Sequence, residues 1–125
     1  MKFNMYKEYL NERYVPNLDL NWDQYLKETK LSCLETEHGF VTYQFDGDAL
    51  IIYDMYIKPE SRSSKNAWFL HNELVKEAKL QNKRVAITFS DFIGKNHILG
   101  LRAIKAAGFK PAFKTNDQFV FIKGI

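Results

Sequence analysis

The sequence is poor in cysteine, with one in 125 residues, and it has no long hydrophobic run. A single cysteine, Cys33, excludes an intrachain disulfide and a cysteine-cluster metal site, since both need several cysteines. No window approaches the roughly 18 uninterrupted apolar residues of a membrane-spanning helix, and the N-terminal residues lack a signal-peptide core. We therefore expect a cytoplasmic protein without a membrane segment, in which Cys33 is a small hydrophobic side chain near a strand.

The sequence also lacks a metal-binding pattern and a concentrated charge. Its three histidines, His38, His71 and His97, are far apart in the sequence, and no cluster of Asp, Glu and His residues has metal-ligand spacing. We expect no metal, and we expect His71 to lie on a helix surface. The formal charge is +3, with the positive residues scattered along the chain. This charge makes nucleic acid an improbable partner, and an anionic small ligand fits it at least as well.

The chain does contain apolar material, since 46% of its residues are hydrophobic and 15% are aromatic. That is enough for one domain over residues 1–125 with its own core. Most aromatic residues, Trp68 and Phe69 among them, recur at periods that face a core, so we expect them to be buried rather than to stack on RNA bases. Phe119 and Phe121 with Lys123 are the one weak RNA-like feature.

Hydrophobic periodicity divides the chain into nine elements. Two short helices come first, the second after Asp19 or Asn21, and the period changes to two from about Leu34. A hairpin then joins residues 40–45 to Ala49–Ile57 through a turn at residues 46–48. The remaining elements are a helix from about residue 62 to 80, a strand at 84–90, a helix from about 96 that Gly108 closes, and a hairpin of 109–113 with 118–122. The strand, helix and strand in the middle predict a βαβ unit with parallel strands.

The most informative stretch runs from residue 54 to residue 67, where a strand stops at a proline and leads into a helix. The N-terminus of a helix presents backbone N–H groups that have no intrahelical acceptor, and such groups bind phosphate. Cationic and hydroxyl side chains accompany them here. The alternative is an ordinary solvated helix start that Ser61 or Ser63 caps. The candidate phosphate residues are Arg62, Ser63, Ser64, Lys65, Asn66 and Ala67.

Asp54 and Tyr56 are candidate catalytic residues. They lie two positions apart on a strand, so both side chains should face the same side. A carboxylate beside a phenol on an apolar strand is able to take a proton from an attacking amine, directly or through water. The alternative is an aspartate on a half-exposed face or one paired with a lysine. Glu35 and Glu37, which we expect on the neighbouring strand, are rival bases.

The order of elements and these motifs resemble the GNAT family, the GCN5-related N-acetyltransferases, over residues 40–122. The resemblance rests on the acidic and aromatic strand 53–57, on the following proline and Arg62, on Asn96, and on Gly108 with Phe109. It implies an α/β fold with a mixed central sheet, two N-terminal helices, a βαβ core and a C-terminal β-hairpin, without a clear first strand. It also implies acetyl-CoA as the acyl donor.

The resemblance assigns parts of acetyl-CoA to residues of this chain. The pyrophosphate falls to the residues from Arg62 to Ala67 named above. Asn96 is either a helix N-cap or a cap that also hydrogen-bonds the pantetheine arm. The backbone that pairs with the pantetheine arm belongs to Met55, Tyr56 and Ile57.

The sequence departs from the family pattern at two positions. Lys65 occupies the place of the first loop glycine, and a residue with a Cβ would cost roughly 1–2 kcal/mol there if its φ were positive. Ile104 occupies the place from which a tyrosine protonates the thiolate of CoA in many members, and isoleucine cannot transfer a proton. Tyr56, His97 or water would then serve.

Two functions are compatible with these features. The first is transfer of an acetyl group from acetyl-CoA to a primary amine of a protein or small molecule, without a metal, after Asp54, a neighbouring glutamate or water has deprotonated the amine. The second is a catalytically inactive GNAT-like module that binds a protein partner, as a monomer or a homodimer. The residues from Gln118 to Gly124 resemble, in part, the ending of small GNAT-like virion proteins of podophages.

Overall fold

The computed structural model describes residues 5–6, 8–9, 21–62, 65–91 and 97–125, with only the backbone given for residues 91 and 97–101. In these ranges the chain forms one six-stranded sheet, and residues 5, 6, 8 and 9 are helical. The helices are α1 (Trp22–Thr29), α2 (Asn66–Leu80) and α3 (His97–Ala106), with a short 3₁₀ helix at Pro59–Ser61. The strands are β1 (Ser32–Thr36), β2 (Gly39–Asp46), β3 (Ala49–Ile57), β4 (Val85–Asp91), β5 (Lys110–Lys114) and β6 (Gln118–Gly124).

The helix ends follow local capping rules. Asn21 caps α1 by accepting a hydrogen bond from the backbone N–H of Gln24 at 3.0 Å, which confirms one of the two predicted start positions. Asn82, just beyond α2, has φ of 60°, and Gly108, just beyond α3, has φ of +94°. Both left-handed residues stop their helices, and Gly108 does so where the sequence predicts, because glycine adopts that conformation without strain.

The strands lie in the order β1-β2-β3-β4-β6-β5. β3 and β4 are parallel and flank α2 in the chain, and every other neighbouring pair is antiparallel. The structure therefore confirms the mixed sheet, the βαβ unit and the final hairpin. It also corrects the strand count before α2, which among the described residues is three rather than two. β1 was missed because no residue in it is buried, so the strand carries no strong alternation between apolar and polar residues.

Buried residues in the described part of the chain form two clusters on opposite faces of the sheet, and a β-bulge in β3 changes the face to which the side chains of that strand point. Tyr43 pairs with Ile52 and Thr42 pairs with Asp54, so Tyr53 is an extra residue. The first cluster contains Val41, Leu50, Ile52, Leu74, Ala78, Ala86, Phe109 and Phe121. The second contains Met5, Tyr6, Tyr9, Trp22, Phe40 and Tyr56. The helical residues near the N-terminus and α1 thus cover the face to which Asp54 and Tyr56 point.

Two expectations about buried residues are wrong. Trp68 and Phe69 are 63% and 51% exposed, because they lie outside the buried stripe of α2. His71 belongs to that stripe, at helical spacing from Leu74 and Ala78, and it is buried rather than at the surface. The assignment of aromatic residues to the core also fails for Phe113, which is 62% exposed.

Candidate functional site

β3 and β4 separate part-way along their length. Their parallel pairing covers only residues 49–51 with residues 85–87, although β3 continues to Ile57 and β4 to Asp91. Beyond the last pair, β3 stays with β2 as far as Ile57, and β4 stays with β6 as far as Asp91. We call the region between residues 52–57 and 88–91 the β3–β4 opening. The edge of β3 that borders it includes the predicted pantetheine-binding residues Met55, Tyr56 and Ile57.

At the near end of the opening, Thr88 donates a hydrogen bond from its hydroxyl to the carbonyl oxygen of Ile52 at 3.3 Å. This side-chain bond takes the place of a backbone bond where the parallel ladder stops. Past this point, the β4-facing backbone groups of β3 are not paired with β4. An extended ligand with amide groups could hydrogen-bond to such an edge as an added strand does.

Arg62 joins the end of β3 to the segment that precedes α2. Its Nε donates a hydrogen bond to the carbonyl oxygen of Ile57 at 2.8 Å. Its guanidinium carbon lies 5.5 Å from the centre of the Tyr56 ring, which is a cation–π contact. The Tyr56 hydroxyl donates to Glu8 Oε2 at 3.1 Å. Tyr56 is thus held between a guanidinium and a carboxylate, and Glu8 is a site residue that sequence reasoning missed.

The predicted phosphate segment is described in part. Ser63 and Ser64 lie outside the described residues, as does Asn96. The N-cap of α2 is Lys65, and its side chain makes no capping hydrogen bond. Ser61 does not cap α2, since it ends the 3₁₀ helix and its hydroxyl lies 3.0 Å from His38 Nδ1.

Lys65 has φ of −84° and ψ of 19°. Because this φ is negative, a side chain at this position carries none of the left-handed strain that a family glycine would avoid. The exposed ammonium of Lys65, the N-terminus of α2 and Arg62 lie close together in the chain, and all of them favour an anion.

Asp54 is 7% exposed and accepts hydrogen bonds from three side-chain hydroxyls. The Tyr9 hydroxyl donates to Oδ1 at 2.6 Å, and Thr42 and Tyr25 donate to Oδ2 at 2.6 and 3.1 Å. The backbone N–H of Asp54 donates in turn to the Thr42 hydroxyl at 3.0 Å. Neither sequence-based alternative, a half-exposed aspartate or one paired with lysine, describes this carboxylate.

The three hydroxyl donors come from different elements. Tyr9 lies near the N-terminus, Tyr25 lies on α1 and Thr42 lies on β2. Sequence reasoning missed all three as partners of Asp54, because they are 45, 29 and 12 residues away from it. The sequence did contain one indication. Thr42 places a hydroxyl at a strand position that is usually apolar and buried, and Tyr9 and Tyr25 lie in the two predicted helices.

The rival carboxylates are not where the sequence suggested. Glu37 lies in the turn between β1 and β2, and its side chain is 78% exposed and 3.3 Å from the ring of His38. Glu35 lies on β1, opposite Phe40 of β2, and β2 separates it from Asp54. Both glutamates were expected on the strand next to the one that carries Asp54. That expectation is wrong, because β2 is the strand that pairs with β3 there, and β1 pairs with β2.

Cys33 shares the face of Asp54, since it pairs with Thr42 and Thr42 pairs with Asp54. Burial raises the pKa of its thiol to about 11, and the carboxylate of Glu35 adds to the effect. The thiol is therefore protonated at neutral pH and is a poor nucleophile. It packs against the second core cluster, as the sequence predicts.

Ile104 packs against the first core cluster and offers no group for proton transfer. His97 begins α3, and its side chain lies outside the described residues. In the described ranges, no three His, Cys, Asp or Glu side chains come together in a way that could hold a metal ion. In the same residues, no helix has the length and apolar character needed to cross a membrane.

The order and pairing of the strands match solved structures. A ribosomal-protein-alanine N-acetyltransferase from Brucella melitensis superposes with a TM-score of 0.69 at 14% identity, over 98% of this chain and 91% of that chain. A protein of the GNAT family from Desulfovibrio desulfuricans gives 0.65 at 16% identity, over 82% and 75%. This chain has the GNAT fold. The PaiA N-acetyltransferase from Thermoplasma acidophilum, solved in complex with coenzyme A, gives 0.66 at 18% identity, over 81% of this chain and 66% of that chain.

The likeness is one of fold. No protein-family model matches the chain, and no curated protein matches it in sequence. The GNAT fold confirms the resemblance predicted from the residues around Asp54, Arg62 and Gly108. Because one fold supports different activities, the function has to be argued from the site.

Proposed function

We propose that the protein transfers an acetyl group from acetyl-CoA to a primary amine of a protein or small molecule. The observation that carries this proposal is the β3–β4 opening within a GNAT fold. A strand edge that borders a gap offers backbone hydrogen bonds to the two amide groups of a pantetheine arm. The PaiA structure, which shares the fold, is a complex with coenzyme A.

The donor would lie along the opening with its pyrophosphate at the start of α2. Met55, Tyr56 and Ile57 would supply the backbone groups for the pantetheine arm. Arg62, held against Ile57 and Tyr56, and the exposed Lys65 would supply positive charge to the pyrophosphate. The resemblance adds Ser63, Ser64, Asn66 and Ala67 to the pyrophosphate site and Asn96 to the pantetheine site.

The chemistry would be direct attack in a ternary complex. Asp54 takes a proton from the ammonium form of the acceptor, and the neutral amine attacks the thioester carbonyl. A C–N bond forms and the C–S bond breaks, while a backbone N–H near Tyr56 holds the negative charge on the oxygen. The second amine proton passes through water to the leaving thiolate, since Ile104 cannot supply one.

Thermal unfolding with and without millimolar acetyl-CoA tests donor binding. A ligand at about 100 times its dissociation constant adds about 2.7 kcal/mol, which shifts the midpoint of a domain of this size by several degrees. Lys65→Glu should remove most of the shift, and Lys76→Glu on the exposed part of α2 should keep it. If acetyl-CoA does not shift the midpoint of the wild type, the proposal is contradicted. If it does, a screen of primary amines for CoA release identifies the acceptor.

A second candidate is a catalytically inactive GNAT-like module that binds a protein partner. Two observations favour it: Ile104 in place of a proton donor, and the exposed side chains of Trp68 and Phe69 on the first turns of α2. Exposed aromatic residues of this size are common in protein interfaces. Donor binding without CoA release for any amine, together with partner binding that Trp68→Ala abolishes, would favour this candidate.

A further inference from the structure

The carboxylate of Asp54 is enclosed by its hydrogen-bond donors. Only 7% of the residue is exposed, and three hydroxyls point at its two oxygens. A carboxylate has about four acceptor positions, so little room is left for a direct bond from an external amine. A proton can therefore pass from a substrate to Asp54 by way of one of these hydroxyls.

The three hydroxyls differ in their access to solvent. Tyr9 is 3% exposed and Thr42 is fully buried. Thr42 is also occupied as an acceptor by the backbone N–H of Asp54. Tyr25 is partly exposed, and its bond to Asp54 is the longest of the three, at 3.1 Å against 2.6 Å for each of the others.

The position of Tyr25 is fixed from two sides. Its ring lies 5.2 Å from the ring of Trp22, which is buried in the second core cluster, and its hydroxyl reaches Oδ2 of Asp54. The ring is therefore anchored while the residue keeps a part that faces outward. Among the described hydroxyl donors to Asp54, Tyr25 is the most exposed residue.

We infer that Tyr25 relays the proton of the acceptor ammonium to Asp54, so that the acceptor amine binds on the α1 side of β3. This inference rests on the proposed acetyl transfer. The ammonium N–H bond breaks as its proton passes to the Tyr25 oxygen, and the Tyr25 O–H proton passes to Asp54 Oδ2. The products are a neutral amine, an unchanged tyrosine and a protonated Asp54, which returns its proton to solvent after the acetyl group has moved.

Tyr25→Phe and Tyr9→Phe form a matched pair, because each removes one hydroxyl that donates to Asp54. For a general acid–base group, removal lowers the rate by about 10²–10⁴-fold. Tyr25→Phe should lower kcat by about 10²-fold, with little change in the KM for acetyl-CoA. Tyr9→Phe should give a smaller loss, since Tyr9 only positions the carboxylate.

The pH profile separates a relay from a structural role. At a pH above the pKa of the acceptor, the amine is already neutral and no proton has to be removed, so the defect of Tyr25→Phe should shrink. The defect of Tyr9→Phe should be the same at every pH. In the described part of the chain, the titratable side chains on the face of Asp54 include Tyr9, Tyr25, Cys33, Glu35, Tyr56 and Glu8.

The unfolding midpoints of Tyr25→Phe and Tyr9→Phe show whether either variant is simply unfolded. Tyr25→His keeps a side chain that can pass a proton, so it should recover part of the rate. An active wild type with an unchanged Tyr25→Phe variant would overturn the relay alone. A Tyr25→Phe defect that is constant with pH would also overturn it. A wild type that binds acetyl-CoA but acetylates no amine would overturn the acetyl transfer and the relay together.

Discussion

Ile52 and Asp54 are two residues apart on β3 and point to opposite faces of the sheet. Ile52 lies in the cluster with Leu74, whereas Asp54 bonds Tyr9 and Tyr25. Strict alternation would place both on one face, and the extra residue Tyr53 reverses the order. The bulge therefore lets one strand contribute to the packing of α2 with its first half and to the candidate site with its second half.

Asp54→Ala is expected to destabilise the protein strongly. The substitution leaves three hydroxyls without their acceptor, and hydrogen bonds to a charged group are worth more than neutral ones, so the loss should be on the order of 3 kcal/mol. Urea unfolding measures it. The exposed Asp48→Ala serves as the control and should stay within about 0.5 kcal/mol of the wild type. Equal stability of the two variants would contradict the hydroxyl network.

Lys65→Gly, which restores the glycine of the family pattern, is not expected to stabilise the chain. With φ at −84°, Lys65 has no left-handed strain to relieve. Glycine would instead increase the freedom of the unfolded chain and lower the free energy of unfolding by roughly 0.5–1 kcal/mol. Thermal unfolding without ligand decides this, and a raised midpoint for the glycine variant would contradict the backbone geometry.

Because His71 is buried, we expect the protein to lose stability in mild acid. Burial, followed by the nearby Lys123 ammonium, lowers its pKa from 6.5 to about 4. Lys123 Nζ donates to His71 Nε2 at 2.6 Å and to the carbonyl oxygen of Ala107 at 2.7 Å, so the ring has to stay neutral on that nitrogen.

Between pH 6.5 and pH 4 the unfolded chain binds a proton at this histidine and the folded chain does not. The free energy of unfolding that depends on His71 is therefore at its full value above pH 6.5. It decreases as the pH falls toward 4, by roughly 3 kcal/mol in total. Urea midpoints at a series of pH values measure the slope. His71→Asn should flatten the slope, because it removes the titrating ring.

Cys33 is expected to react slowly with thiol reagents in the folded protein. Its pKa is raised from 9.0 to about 11, which reduces the thiolate fraction about 100-fold at neutral pH. A disulfide reagent such as DTNB, added with and without urea, compares the two states. Rapid labelling of the folded protein at the rate of a free cysteine would contradict the burial of Cys33 beside Glu35.

Local rules predicted much of the fold. Asn21, Gly108 and the turn at residues 46–48 act through neighbours in the chain, and periodicity located α2 and β4. The bulge at Tyr53 was out of reach, because an extra residue exists only relative to the register of β2. β1 was missed for a related reason, since its residues are half-buried and its pairing with β2 defines it.

The candidate site was predictable only where its residues are close in sequence. Asp54, Tyr56 and Arg62 belong to one strand and the loop that follows, and the structure brings Tyr56 and Arg62 into contact. Glu8, Tyr9 and Tyr25 come from segments whose packing on the sheet is a tertiary property. His71 was predicted at the surface for the same reason. A buried histidine needs a hydrogen-bond partner, and its partner Lys123 is close to it only in the folded structure.

The hydroxyl network around Asp54 also bears on how this protein could change over evolution. A single carboxylate accepts hydrogen bonds from Tyr9 and Tyr25, so the two helical segments that would surround an acceptor share one buried hydrogen-bond acceptor on the sheet. A new acceptor specificity that requires these segments to move would disturb the bonds to that carboxylate. By contrast, Arg62 of the predicted donor site is held by the carbonyl oxygen of Ile57, which would let donor and acceptor recognition evolve separately.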